Sequence, residues 1–466
     1  MSLPEMAPHD GVRSRRWDAV IVGSGISALV TAARLGMAGQ RVLIVEEEAT
    51  RTAFAGLREP FFLTGARDSG MLDLCLRELT LSLIDRRRIE EEEISFQLVD
   101  SNLRINIGSA ELSADELVAW GISKPEAAHA LVRSLCEASE AERKAMLASS
   151  VVRLGRRMSR ALPRIGIEGS HHRGLPAEAV NATPEMARLM NAQVRALSNL
   201  ATATPGPEAQ ARLLGSVLKG GAGFASGPPW LHEILRRRVE SVFGEFRTLS
   251  RKFRLVSVMG QPAIAVEGNT EIWAGRMMII AAPPTALANM LEKKDTPDFL
   301  KLARTTRRRL CVHLRARRRV LPEGMASRVV LLDETGPAGV PGAVATLSVF
   351  RRNDDPKWVD LVICSVAVEG IDHAEQEQRL VERALALMPF HGDQIERIPV
   401  KQPLWDDDHW LEDSPHGACW PGEVNLRATS KLPVFMLDRS WVAGLGLEGD
   451  LLLGLRAGEI LEKRLR

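Results

Sequence analysis

Residues 17–48 read WDAVIVGSGISALVTAARLGMAGQRVLIVEEE, which parses as a strand, a glycine turn, a helix and a second strand ending on an acid. Ala19-Val20-Ile21-Val22 is a short apolar run bounded by glycine, the pattern of a parallel strand buried on both faces. Gly23 permits the tight bend, Gly25 leaves no side chain between backbone and a pyrophosphate, and Ala28 is small enough for close helix packing at the usual third glycine. Phosphate would lie on the helix N-terminus, where unpaired N–H groups and the helix dipole favour an anion and where Ser24 and Ser27 add hydroxyl donors. The candidate phosphate-contacting residues are therefore Gly23, Ser24, Gly25, Ile26, Ser27 and Ala28. Gly39 closes the helix, Arg41 to Val45 form the second strand, and Glu46 at its tip can accept hydrogen bonds from the two ribose hydroxyls of an adenosine. An acid there repels a 2′-phosphate, which makes NADP the least favoured dinucleotide.

A chain of 466 residues exceeds what one hydrophobic core normally serves, so two or three lobes are expected. The net charge of +2 gives no overall drive toward nucleic acid. The arginines are nonetheless clustered at Arg153 to Arg164, Arg236 to Arg238, Arg307 to Arg309 and Arg315 to Arg319. These read as solvated helix faces with ion pairs, or as basic faces for peripheral contact with an anionic membrane surface. The run Arg86 to Glu93 reads as an exposed, self-compensating stretch. Five cysteines without CxxC spacing suggest neither a disulfide framework nor a zinc site, and a cytoplasmic protein, peripheral at most on the inner face of a membrane, is expected. Residues 1–16 lack an apolar h-region and read as a flexible leader; no stretch of about 18 apolar residues suggests a spanning helix. The absence of tyrosine excludes it from every catalytic role.

Beyond the opening unit, periodicity predicts a helix over 71–79, a hairpin over 94–107 and a helical lobe over 109–215. An amphipathic helix is expected over 230–243, then strands at 253–259, 263–267 and 277–282, with Pro283-Pro284 stopping the last. Several β-rich runs between 307 and 370 predict a second sheet, and 376–388 a helix. The tail reads as a strand at 434–437, a turn through Gly444, Gly446 and Gly449, and a helix over 451–461. His171-His172 has no third ligand at metal spacing. The cluster Trp405, Asp406, Asp407, Asp408, His409, Trp410, His416 and Trp420 mixes aromatic walls with titratable groups, and reads otherwise as an exposed acidic loop.

This order resembles the phytoene-desaturase and flavin-amine-oxidase superfamily across nearly the whole chain. Three stretches carry the likeness: Gly23 to Glu46; the middle run from Gly227 through FRLVSVMGQPAIAV to MMIIAAPPTAL; and the tail VFMLDRSWVAGLGLEGDLLLGLRAGEIL. The resemblance implies an α/β fold: a Rossmann-like FAD-binding domain assembled from residues 17–108, 216–300 and 430–466, with an interleaved substrate domain of helical lobe (109–215) and mixed sheet (301–429). It implies FAD as cofactor, the backbone of Val256 against the adenine, and Leu447, Glu448 and Gly449 beneath the flavin ring. Two segments depart from the family pattern, EEEATRTAFAGLREPFF, where only Gly56 and Arg58 remain of an arginine and paired glycines, and Asp438-Arg439. The function implied is hydride removal from a small apolar substrate, isoprenoid-like, to the flavin. An amine oxidase of the same superfamily, and a non-redox binding protein that keeps the fold, stay open as alternatives. No catalytic residue is assigned, and the oligomeric state is left open.

Overall fold

The computed structural model describes residues 3–6, 13–48, 61–63, 65, 70–149, 151–154, 159–160, 174–201, 204–224, 230–268, 271–291, 296–301, 306–332, 344–352, 354–368, 370–400, 405, 410–412 and 423–466. Gly56, Arg58, His171-His172, Asp406 to His409, His416 and Trp420 lie outside the described residues, as do most of the arginines between 156 and 164.

The opening unit forms as its periodicity dictates: β1 (Arg13–Val22), α1 (Ile26–Met37) and β2 (Val42–Glu47). Ala19 and Ile21 point into one core and Val20 and Val22 into another, so this strand is covered on both faces. Later segments complete the sheet: α2 (Trp230–Ser241), β3 (Glu245–Leu249), β4 (Phe253–Val258), β5 (Gln261–Val266), β6 (Glu271–Ile280), β7 (Val434–Met436) and α3 (Gly446–Leu465). The order is β4-β5-β6-β1-β2-β3, with β7 also on β6. β7, β6, β1, β2 and β3 run parallel, while β4 and β5 join antiparallel. The ten-residue β6 serves two neighbours on one side, β5 along Ile272 to Ala274 and β7 along Met278 to Ile280.

The N-terminal leader is a correction. Arg13 to Arg16 pair in register with Glu271 to Ala274, Met6 N–H donates to Ser257 O at 2.8 Å, and Leu3 is buried. The backbone donors of a sheet edge recruit this arm although its side chains carry no apolar signal.

The second sheet runs in the order 395–398, 306–317, 358–366, 345–351, 328–331, 94–99, 104–108. The hairpin at 94–108 therefore extends this sheet, Val329 to Leu331 pairing with Gln97 to Val99, and does not belong to the domain of the first sheet. Helix His373–Ala386 covers one of its faces. The helical lobe consists chiefly of Ala110–Ala119, Pro125–Ser149, Pro184–Leu197 and Pro207–Ser216, packed on Phe96, Leu98, Ile105 and Ile107 of the hairpin.

Some members of the arginine clusters belong to the fold, while Arg237, Arg318 and Arg319 are exposed. Arg307 to Arg309 and Arg315 lie on the strand Thr306–Arg317, where Arg309 donates to Asn199 and Arg315 pairs with Asp360 at 3.1 Å. The run from Arg86 to Glu93 is not self-compensating either: Arg86 pairs with Asp73 at 3.5 Å and Glu92 with Arg328. Trp405 is a core residue, edge-on to Phe253 with ring centroids 5.8 Å apart. Cys311 and Cys364, far apart in sequence, stand opposite each other on adjacent strands. No helix among the described residues is long and apolar enough to cross a membrane.

Candidate cofactor site

At the carboxyl edge of the parallel sheet, β1 turns sharply at Gly23, whose φ is +111°. A Cβ there would lie 2.5 Å from the backbone nitrogen of Ala282, so only glycine lets β1 leave the sheet beside the end of β6. Gly25 then caps α1 without a side-chain hydrogen bond to the helix, which leaves the first-turn N–H groups to another acceptor. Ser24 and Ser27 are buried at this turn, and Ile26 and Ala28 start the helix.

The second helix of the site is α3. Gly454 packs against Ser27 and Val30, and Gly458 against Thr31 and Arg34; a Cβ on either would come within 2.8 Å of α1 atoms. Thr31 Oγ1 donates to Gly454 O at 3.1 Å and fixes the register. Because the paired positions ascend together, the two helices run in the same direction, and α3 begins about one and a half turns, ~8 Å, ahead of α1. Both positive ends open on the same side of the sheet. The tail helix starts at Gly446, earlier than the pattern over 451–461 suggests, and that position must be glycine, because φ is +56° there and a Cβ would meet Leu197 O at 2.4 Å.

Leu447, Glu448 and Gly449 form the first turn of α3 and are buried. Glu448 is held by Arg212, whose Nη1 also donates to Ser139 O at 3.0 Å and Ser139 Oγ at 2.8 Å. One buried guanidinium thus ties two helices of the lobe to the start of α3. Asp438 caps the turn before α3 through Ser440 N–H, and Arg439 is buried against Asp450 at 3.0 Å. Burial pushes the Asp450 carboxyl above its ordinary range, an effect that Arg439 opposes only in part.

Glu46 is buried at the tip of β2, and Arg236 of α2 donates to both of its oxygens at 2.9 Å. The guanidinium carbon lies 3.8 Å from the ring centroid of Phe246. A cavity of about 550 Å³ opens beside this pair, its walls including Arg247, Thr248 and Trp273. Val256 is not part of it. Val256 is fully buried in β4, and β5, β6 and β1 separate that strand from β2; the residue beside Glu46 in the sheet is Thr248 of β3. Glu245–Leu249 reads EFRTL, with too little apolar character to stand out as a strand, whereas the apolar run Phe253–Val258 does, and only strand pairing places the former beside β2. Sequence reasoning also missed Arg236 and Arg212: the first sits in an arginine triplet whose three members look alike, and the second in an unremarked helix.

The donor set tests the fit of a dinucleotide. Gly23 N–H is taken by Val45 O, but the helix start behind Gly25 has no side-chain cap and Gly25 itself carries no side chain, which fits a pyrophosphate. Glu46 meets the same Arg236 nitrogen through both oxygens, so each oxygen keeps a lone pair for a ribose hydroxyl.

No family model matches the chain, and no curated protein matches it by sequence. Solved structures match it along almost its whole length. They include an oxidoreductase from Methanosarcina mazei (13% identity, 96% of this chain and 100% of that chain covered, TM-score 0.57). Cyclohexylamine oxidase from Brevibacterium oxydans is similar at 13% identity, 96% and 99% coverage and a TM-score of 0.51. A triple mutant of putrescine oxidase from a redesign of cofactor binding is similar at 13% identity, 97% and 100% coverage and a TM-score of 0.51. At such identities the likeness is one of fold, and the fold of this chain is the one these oxidoreductases share.

Proposed function

We propose that the protein is an FAD-dependent oxidoreductase. The observation that carries this reading is the parallel pair α1 and α3: their N-termini open together at the carboxyl edge of the sheet, the first behind the Gly23 to Ala28 turn, the second ~8 Å further on. Such spacing suits a cofactor that is anionic at one point and develops negative charge at another. When bound, FAD supplies a two-electron acceptor for a hydride leaving a substrate carbon. The chain's own residues do the remaining work. Backbone N–H groups at Ile26 and Ser27 hold the pyrophosphate, Glu46 accepts from the ribose, and the first turn of α3 at Leu447 to Gly449 stabilises charge at the far end. No side chain is required as nucleophile in a hydride transfer of this kind.

Three observations support the reading: the fingerprint with its acid, the paired helix ends, and the fold shared with oxidoreductases over nearly the full chain. A second reading, a binding protein that keeps the fold without redox chemistry, draws on Arg236 at Glu46 and on Arg439 buried before α3. The deciding measurement is the visible absorption spectrum of the purified protein before and after incubation with excess FAD. A bound flavin released by heat or acid is expected, reduced about tenfold or more in affinity by Glu46→Ala and lost in Gly25→Val. Absence of bound flavin together with absence of a thermal shift by FAD overturns the proposal in favour of the second reading.

A further inference from the structure

Between the helical lobe and the start of α3 lies a cavity of about 260 Å³ whose walls carry more cations than acids. Arg86, Arg87, Arg143, Arg212 and Lys219 face Glu91 and Glu448, over a floor that includes Gly65, Gly70, Gly220 and Gly221. The carboxylates that partner these cations are shared. Glu140, outside the lining, accepts from Arg143 Nε at 3.1 Å and from Lys219 Nζ at 2.8 Å, with Lys144 Nζ at 3.7 Å. Asp73 is divided between Arg77 at 2.9 Å and Arg86 at 3.5 Å. Arg87, exposed at the rim, makes no ion pair among the described residues. The Nε atoms of Arg86 and Arg212 are buried without an acceptor among the described residues. Buried donors without acceptors and carboxylates shared between cations are the signature of a site that takes an anion.

We propose that this cavity binds the carboxylate or phosphate group of a small anionic substrate, held by Arg87, Arg143 and Lys219. Its position decides the role. Glu448 and Arg212, both in the wall, fasten the cavity to the first turn of α3, where the proposed cofactor would present its reactive end. The volume falls just below the ~300 Å³ at which small-molecule sites begin, which suits a compact metabolite better than a long isoprenoid chain. The substrate role rests on the proposed function; the binding of an anion does not.

Isothermal titration calorimetry of the full-length protein, FAD-free and FAD-loaded, tests the proposal with sodium benzoate, inorganic phosphate and uncharged benzyl alcohol as probes. Saturable binding of benzoate or of phosphate is expected, whichever binds naming the anionic group, with no binding of benzyl alcohol. Arg87→Ala and Lys219→Met, both at partly exposed positions, are each expected to weaken it about tenfold while circular dichroism stays unchanged. Failure of both anions to bind the wild type overturns the proposal, as does equal binding of benzyl alcohol or equal affinity in both variants. Binding to the FAD-free protein that disappears on FAD loading also overturns it, because the cations then face the cofactor. A protein that takes up no FAD refutes the oxidoreductase reading while the FAD-free titration still decides the anion site.

Discussion

Arg236 Nη1 lies 2.9 Å from each carboxylate oxygen of Glu46, so the acid at the tip of β2 is neutralised before any ribose reaches it. Glu46 is 1% exposed and Arg236 about a quarter exposed, which makes the pair half-desolvated and the acid dependent on its partner.

Arg236→Ala should therefore cost about 1–3 kcal/mol, below the loss expected for a fully buried pair because water reaches the arginine. FAD should raise the melting temperature of this variant more than that of the wild type, since ribose hydroxyls become the only new donors to Glu46. Urea denaturation and thermal melts with and without FAD measure both effects. Equal FAD shifts in the two proteins would show that the pair does not meet the cofactor.

Gly23→Ala should destabilise the fold by about 2–4 kcal/mol even without ligand, because its φ of +111° and the backbone of Ala282 at 2.5 Å both oppose a Cβ. A variant with wild-type urea midpoint and reduced FAD binding would contradict this account.

The seam between α1 and α3 should rank its glycines by what a Cβ meets. Gly454→Ala meets the carbonyl oxygen of Ser27 and Cβ of Val30, both at 2.8 Å, and should lose about 1–3 kcal/mol; Gly458→Ala meets Cβ of Arg34 at 2.8 Å but no backbone atom closer than 3.5 Å, and should lose somewhat less within the same range. Denaturant midpoints of the two single variants check the order.

Burial alone would push the Glu140 carboxyl up, but hydrogen bonds from Arg143 and Lys219 outweigh it and bring the group down to about 2. A folded value below the unfolded one means stability that is present above pH ~4.5 and lost as pH falls toward ~2. The stability gap between wild type and Glu140→Gln should accordingly shrink as pH is lowered from about 5 to about 2.5. A gap that is constant over this range would rule out the linkage.

Asp450 carries the opposite sign. Burial raises its folded value above the unfolded one, so its contribution is most favourable at low pH and falls as pH rises through the folded value. Arg439→Met removes the opposing charge and should cost about 3–5 kcal/mol, more at pH ~8 than at pH ~4; the double replacement Arg439→Met with Asp450→Leu should recover most of it. Equal losses in the single and double variants would indicate that packing, not charge, dominates.

Much of the fold was legible in the chain. The apolar run at Ala19 to Val22 marks a strand covered on both faces, and the helix at Met71–Glu78, the hairpin at 94–108 and the helical lobe follow from local periodicity, since each buries its own face at a fixed period. What periodicity could not reveal is pairing. Arg13 to Arg16 look like a leader and form a strand because the edge of β6 offers backbone partners. The hairpin looked continuous with the first domain and joins the second sheet through Val329 to Leu331. The resemblance points to Val256, but β5, β6 and β1 stand between its strand and β2, and the residue paired with Glu46 is Thr248.

By itself the sequence determined that this protein opens with a βαβ unit around Gly23, Gly25 and Glu46, because tight turns, helix starts and strand tips are set by the residue at each position. Only the tertiary structure decided which charges meet: Arg236 with Glu46, Arg212 with Glu448, Arg439 with Asp450, and the cations around the cavity beneath α3. Those partners are separated in sequence by up to 236 residues, and an ion pair depends on distance and burial, which exist only once the chain has folded.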